Sequence, residues 1–191
     1  MTTLAPKRIR FTIDGYYKMA EHGLLDENRQ VELINGDIID MSPIKSYHAG
    51  TVNFLNRILT LNLNDSATVC VQNPIRLDNY SEPEPDIILA KFRSDLYRRE
   101  HPTPQDTLLV IEVADSSLQF DREVKGELYA KAGISEYWIV NLTDRQLEVY
   151  MEPGVDSYQS KQILSDSADL QITVLGKSID LSELFLKISN P

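Results

Sequence analysis

Leu108-Leu109-Val110-Ile111-Glu112-Val113-Ala114 places a single carboxylate inside a run that is otherwise apolar. The run is short and rich in β-branched residues, so it reads as a strand buried on both faces. An ionised group taken out of water in such a place is costly unless it is paired or bound to a cation. Two neighbours along the chain could make Glu112 tolerable. Upstream, Pro85-Asp86 stands at the mouth of a second apolar run, Ile87-Ile88-Leu89-Ala90. Downstream, Lys125 lies thirteen positions on, in a stretch with helical spacing. Two carboxylates and a lysine, each on or beside an apolar element, describe a site that holds a divalent metal and acts on something anionic.

Working outward, the loop Asp115 to Phe120 leads to Asp121, which is expected to cap a helix ending at Gly133. On that helix Val124, Leu128, Tyr129 and Ala132 form the apolar side, and Lys125 shares the face of Leu128 and Tyr129. A strand from Glu136 to Asn141 follows, turned by Asp144-Arg145 into another from Gln146 to Met151. Further strands are expected near 162–164 and 171–174, with a terminal helix near 182–188.

Before the central run, residues 1–10 read as a loose arm. Thr12 can cap a short helix over 14–22, stopped by Gly23. Val31 to Ile34 and Asp37 to Met41 flank Asn35-Gly36, the strongest short hairpin signal, because both turn residues need positive φ. Ser46 is expected to cap a helix reaching about Asn64, with Val52, Leu55, Leu59 and Leu63 on one stripe and His48 in the first turn. Residues 67–72 and 75–77 read as one strand broken by Pro74, and 91–105 as an irregular excursion. Strands flanked by helices, without repeat or linker, predict a single α/β domain over residues 1–191 with a mixed sheet.

The chain has 191 residues and a net charge of −10. That charge argues against a broad basic surface for nucleic acid. It leaves room for an enzyme that meets a phosphodiester through metal and a local basic strip, either Arg93, Arg98 and Arg99 or Arg122, Lys125 and Lys131. The one cysteine, Cys70, excludes a disulfide framework within the chain. No secretory signal or membrane span is expected, and the cytoplasm is the default location.

Each candidate also has a structural reading. Glu112 could be buried opposite an arginine as a fold-fixing ion pair, Asp86 a turn cap, and Lys125 a lysine snorkelling at the edge of its stripe. Glu32, between Val31 and Leu33, could be an exposed strand residue, and His48 a surface histidine. Two carboxylates holding Mg²⁺ or Mn²⁺ suit phosphodiester hydrolysis, because Mg²⁺ takes one or two carboxylates together with waters and substrate phosphate. A lysine beside them can orient water or neutralise developing charge.

At these residues the chain resembles the restriction-endonuclease-like nucleases, whose signature is Pro-Asp…(Asp/Glu)-X-Lys. More narrowly it resembles the Uma2 family of endonucleases, also called DUF820 and widespread in cyanobacteria. The resemblance rests on Glu32-Leu33-Ile34-Asn35-Gly36, Met41-Ser42-Pro43 with His48, Glu84-Pro85-Asp86, Val110-Ile111-Glu112-Val113, Lys125 with Tyr129, and Glu136-Tyr137-Trp138-Ile139-Val140. It covers roughly residues 10–152. The position two after Glu112, where the superfamily places lysine, is Ala114, and the resemblance implies that Lys125 supplies the amine instead. It implies equally that Glu32 is the extra acidic residue of the first element.

The resulting expectation is a restriction-endonuclease-like fold and metal-dependent hydrolysis of DNA. Asp86 and Glu112 hold the metal with the Val113 carbonyl, Lys125 works on water, Glu32 assists, and by analogy the protein is a homodimer. Two rivals stay open: a nucleic-acid-binding or assembly protein on a decayed nuclease fold, which Ala114 and the acidic charge favour, and a small-molecule phosphodiesterase. Glu112→Gln separates function from structure by sign. Two metal-holding carboxylates repel when the metal is absent, whereas a structural pair would strand its cation.

Overall fold

The structure is a computed structural model, and it describes residues 8–26, 28–166 and 170–185. These fall into two compact units, one drawn from residues up to 43 with 76–83, the other from residues 44–75 and from 84 onward.

The first unit opens with α1 (Ile13–Glu21), capped by the Thr12 hydroxyl, which accepts from the Gly15 N–H at 3.2 Å. A two-stranded hairpin follows, β1 (Val31–Ile34) and β2 (Asp37–Asp40). Asn35 and Gly36 make its turn with φ of 53° and 80°, the mirror-image turn that the Asn-Gly dipeptide favours. Glu82 is buried in this unit, taking the Tyr17 hydroxyl at 2.5 Å and Arg76 at 2.7 Å.

The second unit carries a six-stranded sheet in the order β3-β4-β5-β6-β7-β8. Its strands are β3 (Ala67–Val71), β4 (Ile87–Lys91), β5 (Thr107–Ala114), β6 (Glu136–Asn141), β7 (Gln146–Pro153) and β8 (Tyr158–Ser165). All pairs are antiparallel except β5 with β6. A parallel pair needs a crossover, and here a helical run supplies it. That run has three consecutive parts: α3 (Leu118–Phe120), a π-helical stretch (Asp121–Lys125) and α4 (Gly126–Lys131). It ends in a left-handed cap at Gly133 (φ 77°), with Gly133 N–H on the Ala130 carbonyl and Ile134 N–H on that of Tyr129.

The main core lies between the sheet and α2 (Ser46–Leu63). Val52, Leu55, Leu59 and Leu63 of α2 pack with Leu109, Ile111 and Val113 of β5 and with Trp138 and Val140 of β6. The intervening residues of β5 and β6 face the helical run, where the Tyr137 hydroxyl donates to the Asp121 carbonyl. Both faces of β5 are thus covered, as its apolar run predicts. A second hairpin, β9 (Gln171–Val174) with β10 (Lys177–Asp180), adds Val174 and Ile179 to the core.

The fold departs from the sequence reading in identifiable places. Residues 75–77 form no strand, because the chain leaves the sheet after Val71 through Gln72 (φ 50°) toward Pro74. Lys45, not Ser46, precedes α2, and no side chain caps that helix. The run bearing Lys125 starts at Leu118, so Asp121 lies inside it and accepts from the Ser117 hydroxyl. β8 is longer than expected, and β10 was not anticipated. Residues 182–185 are turns, while the rest of the expected terminal helix, like residues 1–7 of the arm, lies outside the described residues.

Candidate active site

Asp86 stands immediately before β4. The antiparallel register pairs Ile87 with Ile111, so Asp86 and Glu112 occupy the next step on the two chains. The Asp86 carboxylate is held from three directions. Its Oδ2 accepts the Val113 N–H at 2.9 Å and meets His48 Nε2 at 3.0 Å. Its Oδ1 takes the Gln72 amide at 3.3 Å. His48, in the first turn of α2, is therefore a partner of the acidic site rather than a surface histidine. Burial opposes charging its imidazole, but Asp86, with Asp121 and Asp115 beyond it, outweighs burial and raises its pKa. Its Nδ1 is buried without a hydrogen-bond partner among the described residues.

Glu112 sits on β5 and is 5 % exposed. Its Oε1 accepts from the Lys125 ammonium and from the Tyr129 hydroxyl, each at 2.9 Å. Lys125 is 1 % exposed, so it does not snorkel: the ammonium stays in the interior on the carboxylate. A buried ion pair is therefore present at Glu112, but its cation is the lysine singled out as the working amine and not an arginine.

Glu32 lies on β1 in the first unit, opposite Ile39. It is 3 % exposed, where simple alternation suggests an exposed position. Of the two basic strips, Arg122, Lys125 and Lys131 bind Glu148, Glu112 and Glu127. Arg93 is taken by Asp95 and Glu100. Arg98 and Arg99 are exposed and join no ion pair among the described residues.

Sequence reasoning missed four participants. Tyr129 was placed on the apolar side of its helix, yet its hydroxyl serves Glu112. Gln72 gave no signal, because it reaches Asp86 only through the left-handed turn after β3. Asp121 looked like a cap but is a further buried carboxylate, within electrostatic reach of His48. Glu148 is fully buried on β7. Burial pushes its carboxyl up, but bonds from Arg122, Lys161, Tyr150 and Asn141 overcome this and hold it at about 2.

The donors suit a hard cation in part. Asp86 and Glu112 are oxygen ligands, and a carboxylate has about four acceptor positions, of which Asp86 uses three in the contacts above. Among the described residues no three of His, Cys, Asp and Glu gather into a cage for a metal. Mg²⁺ does not require such a cage, since it is commonly bound through one or two carboxylates with waters and substrate phosphate completing the shell.

The second unit thus combines a mixed sheet with an acidic pair at neighbouring strand steps and a lysine from the crossover helix. The sequence profile of the Uma2 family, described as "Putative restriction endonuclease", matches residues 13–182, and the chain belongs to that family. A solved structure with a similar fold is that of "a putative nuclease belonging to DUF820" from Anabaena variabilis. The two share 16% sequence identity at a TM-score of 0.66, over 92% of this chain and 97% of that one. Comparison with curated proteins gives no match. No helix among the described residues is long and apolar enough to cross a membrane.

Proposed function

We propose that the protein is a divalent-metal-dependent endonuclease that hydrolyses phosphodiester bonds in DNA. The observation that supports this most directly is the Asp86–Glu112–Lys125 arrangement, with the lysine fixed on the carboxylate at 2.9 Å. Asp86 and Glu112, with the Val113 carbonyl, would hold Mg²⁺ or Mn²⁺. Bound there, the ion would supply Lewis-acid polarisation of the phosphoryl oxygen and acidify the attacking water.

The protein's own groups do the rest. Val113 N–H, His48 and Gln72 orient the Asp86 carboxylate. Tyr129 and Lys125 orient Glu112, and the Lys125 ammonium faces the reacting phosphate to align water and balance developing charge. Glu32, on β1 of the first unit, is the additional acidic residue that the family resemblance implies. Arg98 and Arg99 offer phosphate contacts. Cutting both strands requires two such centres, which a homodimer provides.

Plasmid cleavage tests the proposal. Wild type should nick or linearise DNA in Mg²⁺ or Mn²⁺ and not in EDTA, and Lys125→Ala should abolish cleavage while still binding metal. In calorimetry Glu112→Gln should weaken metal affinity at least about tenfold, roughly 1.4 kcal/mol. Unchanged affinity removes the metal assignment, and tight DNA binding without cleavage supports the decayed-nuclease alternative.

A further inference from the structure

The helical run after β5 is tied to the sheet by two cations that reach different strands. Lys125 bonds Glu112 on β5. Arg122, three residues earlier, bonds Glu148 on β7 through Nε at 3.1 Å and through Nη2. Glu112 pairs with Ile139 on β6, and Ile139 pairs with Glu148. The two carboxylates therefore lie in one row across the sheet, separated by two strand spacings, roughly 9–10 Å.

A regular α-helix cannot easily straddle that row. Residues three apart on it lie only about 60° apart around the axis, so both side chains lean the same way. Asp121–Lys125 is π-helical, and the Gly126 N–H reaches back to the Asp121 carbonyl, five residues away. A wider turn advances fewer degrees per residue. Three residues then fall further short of a full turn, and the two side chains splay apart. Arg122 and Lys125 form a fork across β6, one prong on each carboxylate.

We propose that Arg122 and Glu148 are positioning residues of the reaction centre: their contact pins the splayed turn to the sheet and so sets where the Lys125 ammonium stands on Glu112. This rests on the reading of Lys125 as the working amine. Glu148 behaves as an anchor, being fully buried and accepting from Lys161 at 2.8 Å, Tyr150 at 2.6 Å and Asn141 at 3.3 Å besides Arg122. Lys161 provides an internal control. It comes from β8 rather than from the helical run, yet it bonds the same carboxylate.

The test is NMR of full-length protein labelled with ¹⁵N-lysine, the Lys125 ammonium signal being assigned by its loss in Lys125→Arg. Arg122→Gln should shift or broaden that signal, whereas Lys161→Gln, which removes the other cation from Glu148, should leave it in place. An unmoved signal in Arg122→Gln, or an equal change in both variants, overturns the proposal. Arg122→Lys keeps the charge without the two-pronged contact and should displace the signal in the same direction, so the test survives if Arg122→Gln fails to fold. This readout needs no cleavage, so it stands or falls separately from the nuclease reading. Where wild type cleaves DNA, Arg122→Gln should lower kcat by about ten- to a hundredfold with KM unchanged. A raised KM at unchanged kcat would mean that Arg122 touches substrate itself, and would overturn the positioning role.

Discussion

Glu112 is the buried partner of Lys125 and, in the proposed reaction, a metal ligand, and its variants should show both. Removing its charge strands the buried Lys125 ammonium, at a cost of roughly 3–5 kcal/mol. Glu112→Gln should therefore melt about 10 °C lower in EDTA. Such a fall does not count against a catalytic role, because the stranded partner is also the candidate amine. The double variant Glu112→Gln/Lys125→Met should recover much of the loss, since an apolar pair replaces an ionic one; failure to recover would show that the pair is not the source of the fall. Glu148 yields a pH signature. Its folded pKa, about 2, lies below 4.5, the ordinary value for a glutamate, so its contribution is complete above about pH 4.5 and is lost as pH falls toward 2. The shift corresponds to on the order of 3 kcal/mol. Thermal melts between pH 5 and 2.5 should lose less stability in Glu148→Gln than in wild type; parallel curves would refute the linkage. Asp86, Glu112 and Lys125 were legible in the sequence because each is charged in an apolar setting. Glu148 was not. It alternates with Leu147 and Val149 as a solvent-facing strand residue would, and only the covering helical run makes it buried.

At the scale of elements, the Asn35-Gly36 hairpin, β5, β6 and the Gly133 stop were all readable, because turn chemistry and apolar runs are local signals. The π-helical stretch was not, since no residue spacing announces an i→i+5 turn. β10 and the full length of β8 also went unseen, because both are partly exposed and have mixed polarity. Two glycines with nearly the same backbone separate strain from crowding. Gly133→Ala adds a Cβ at φ 77° with nothing within 4 Å, whereas at Gly36 (φ 80°) the new atom would lie 2.5 Å from the Arg10 Cβ. Gly133→Ala should cost about 1–2 kcal/mol, and Gly36→Ala more, in urea unfolding midpoints. Equal losses would mean that the Arg10 contact yields freely.

At the scale of the whole molecule, the net charge of −10 and the engagement of ten basic residues by carboxylates limit how the proposed DNA substrate can be held. Arg10, Lys18, Arg57 and Lys91 are, like Arg98 and Arg99, exposed and outside the ion pairs described, but only Arg98 and Arg99 are adjacent in the chain; with those two as the proposed contacts, about two phosphates are neutralised directly. Log affinity against log salt should then fall with a slope of about −2, measured by fluorescence anisotropy in Ca²⁺. A slope near −6 would overturn Arg98 and Arg99 as the main phosphate contacts.

The strand order bears on how the molecule is made. Every strand of the six pairs with its neighbour in the chain, so a polypeptide emerging from the ribosome can add them one at a time. Asp86, Glu112, Lys125 and Tyr129 have all been synthesised, with the strand that covers the crossover, once Asn141 is reached. Glu148 comes afterwards, on β7. A nascent chain thus holds its acids and its lysine before it holds the carboxylate that pins the helical run, and the centre reaches its final geometry only once β7 has been made.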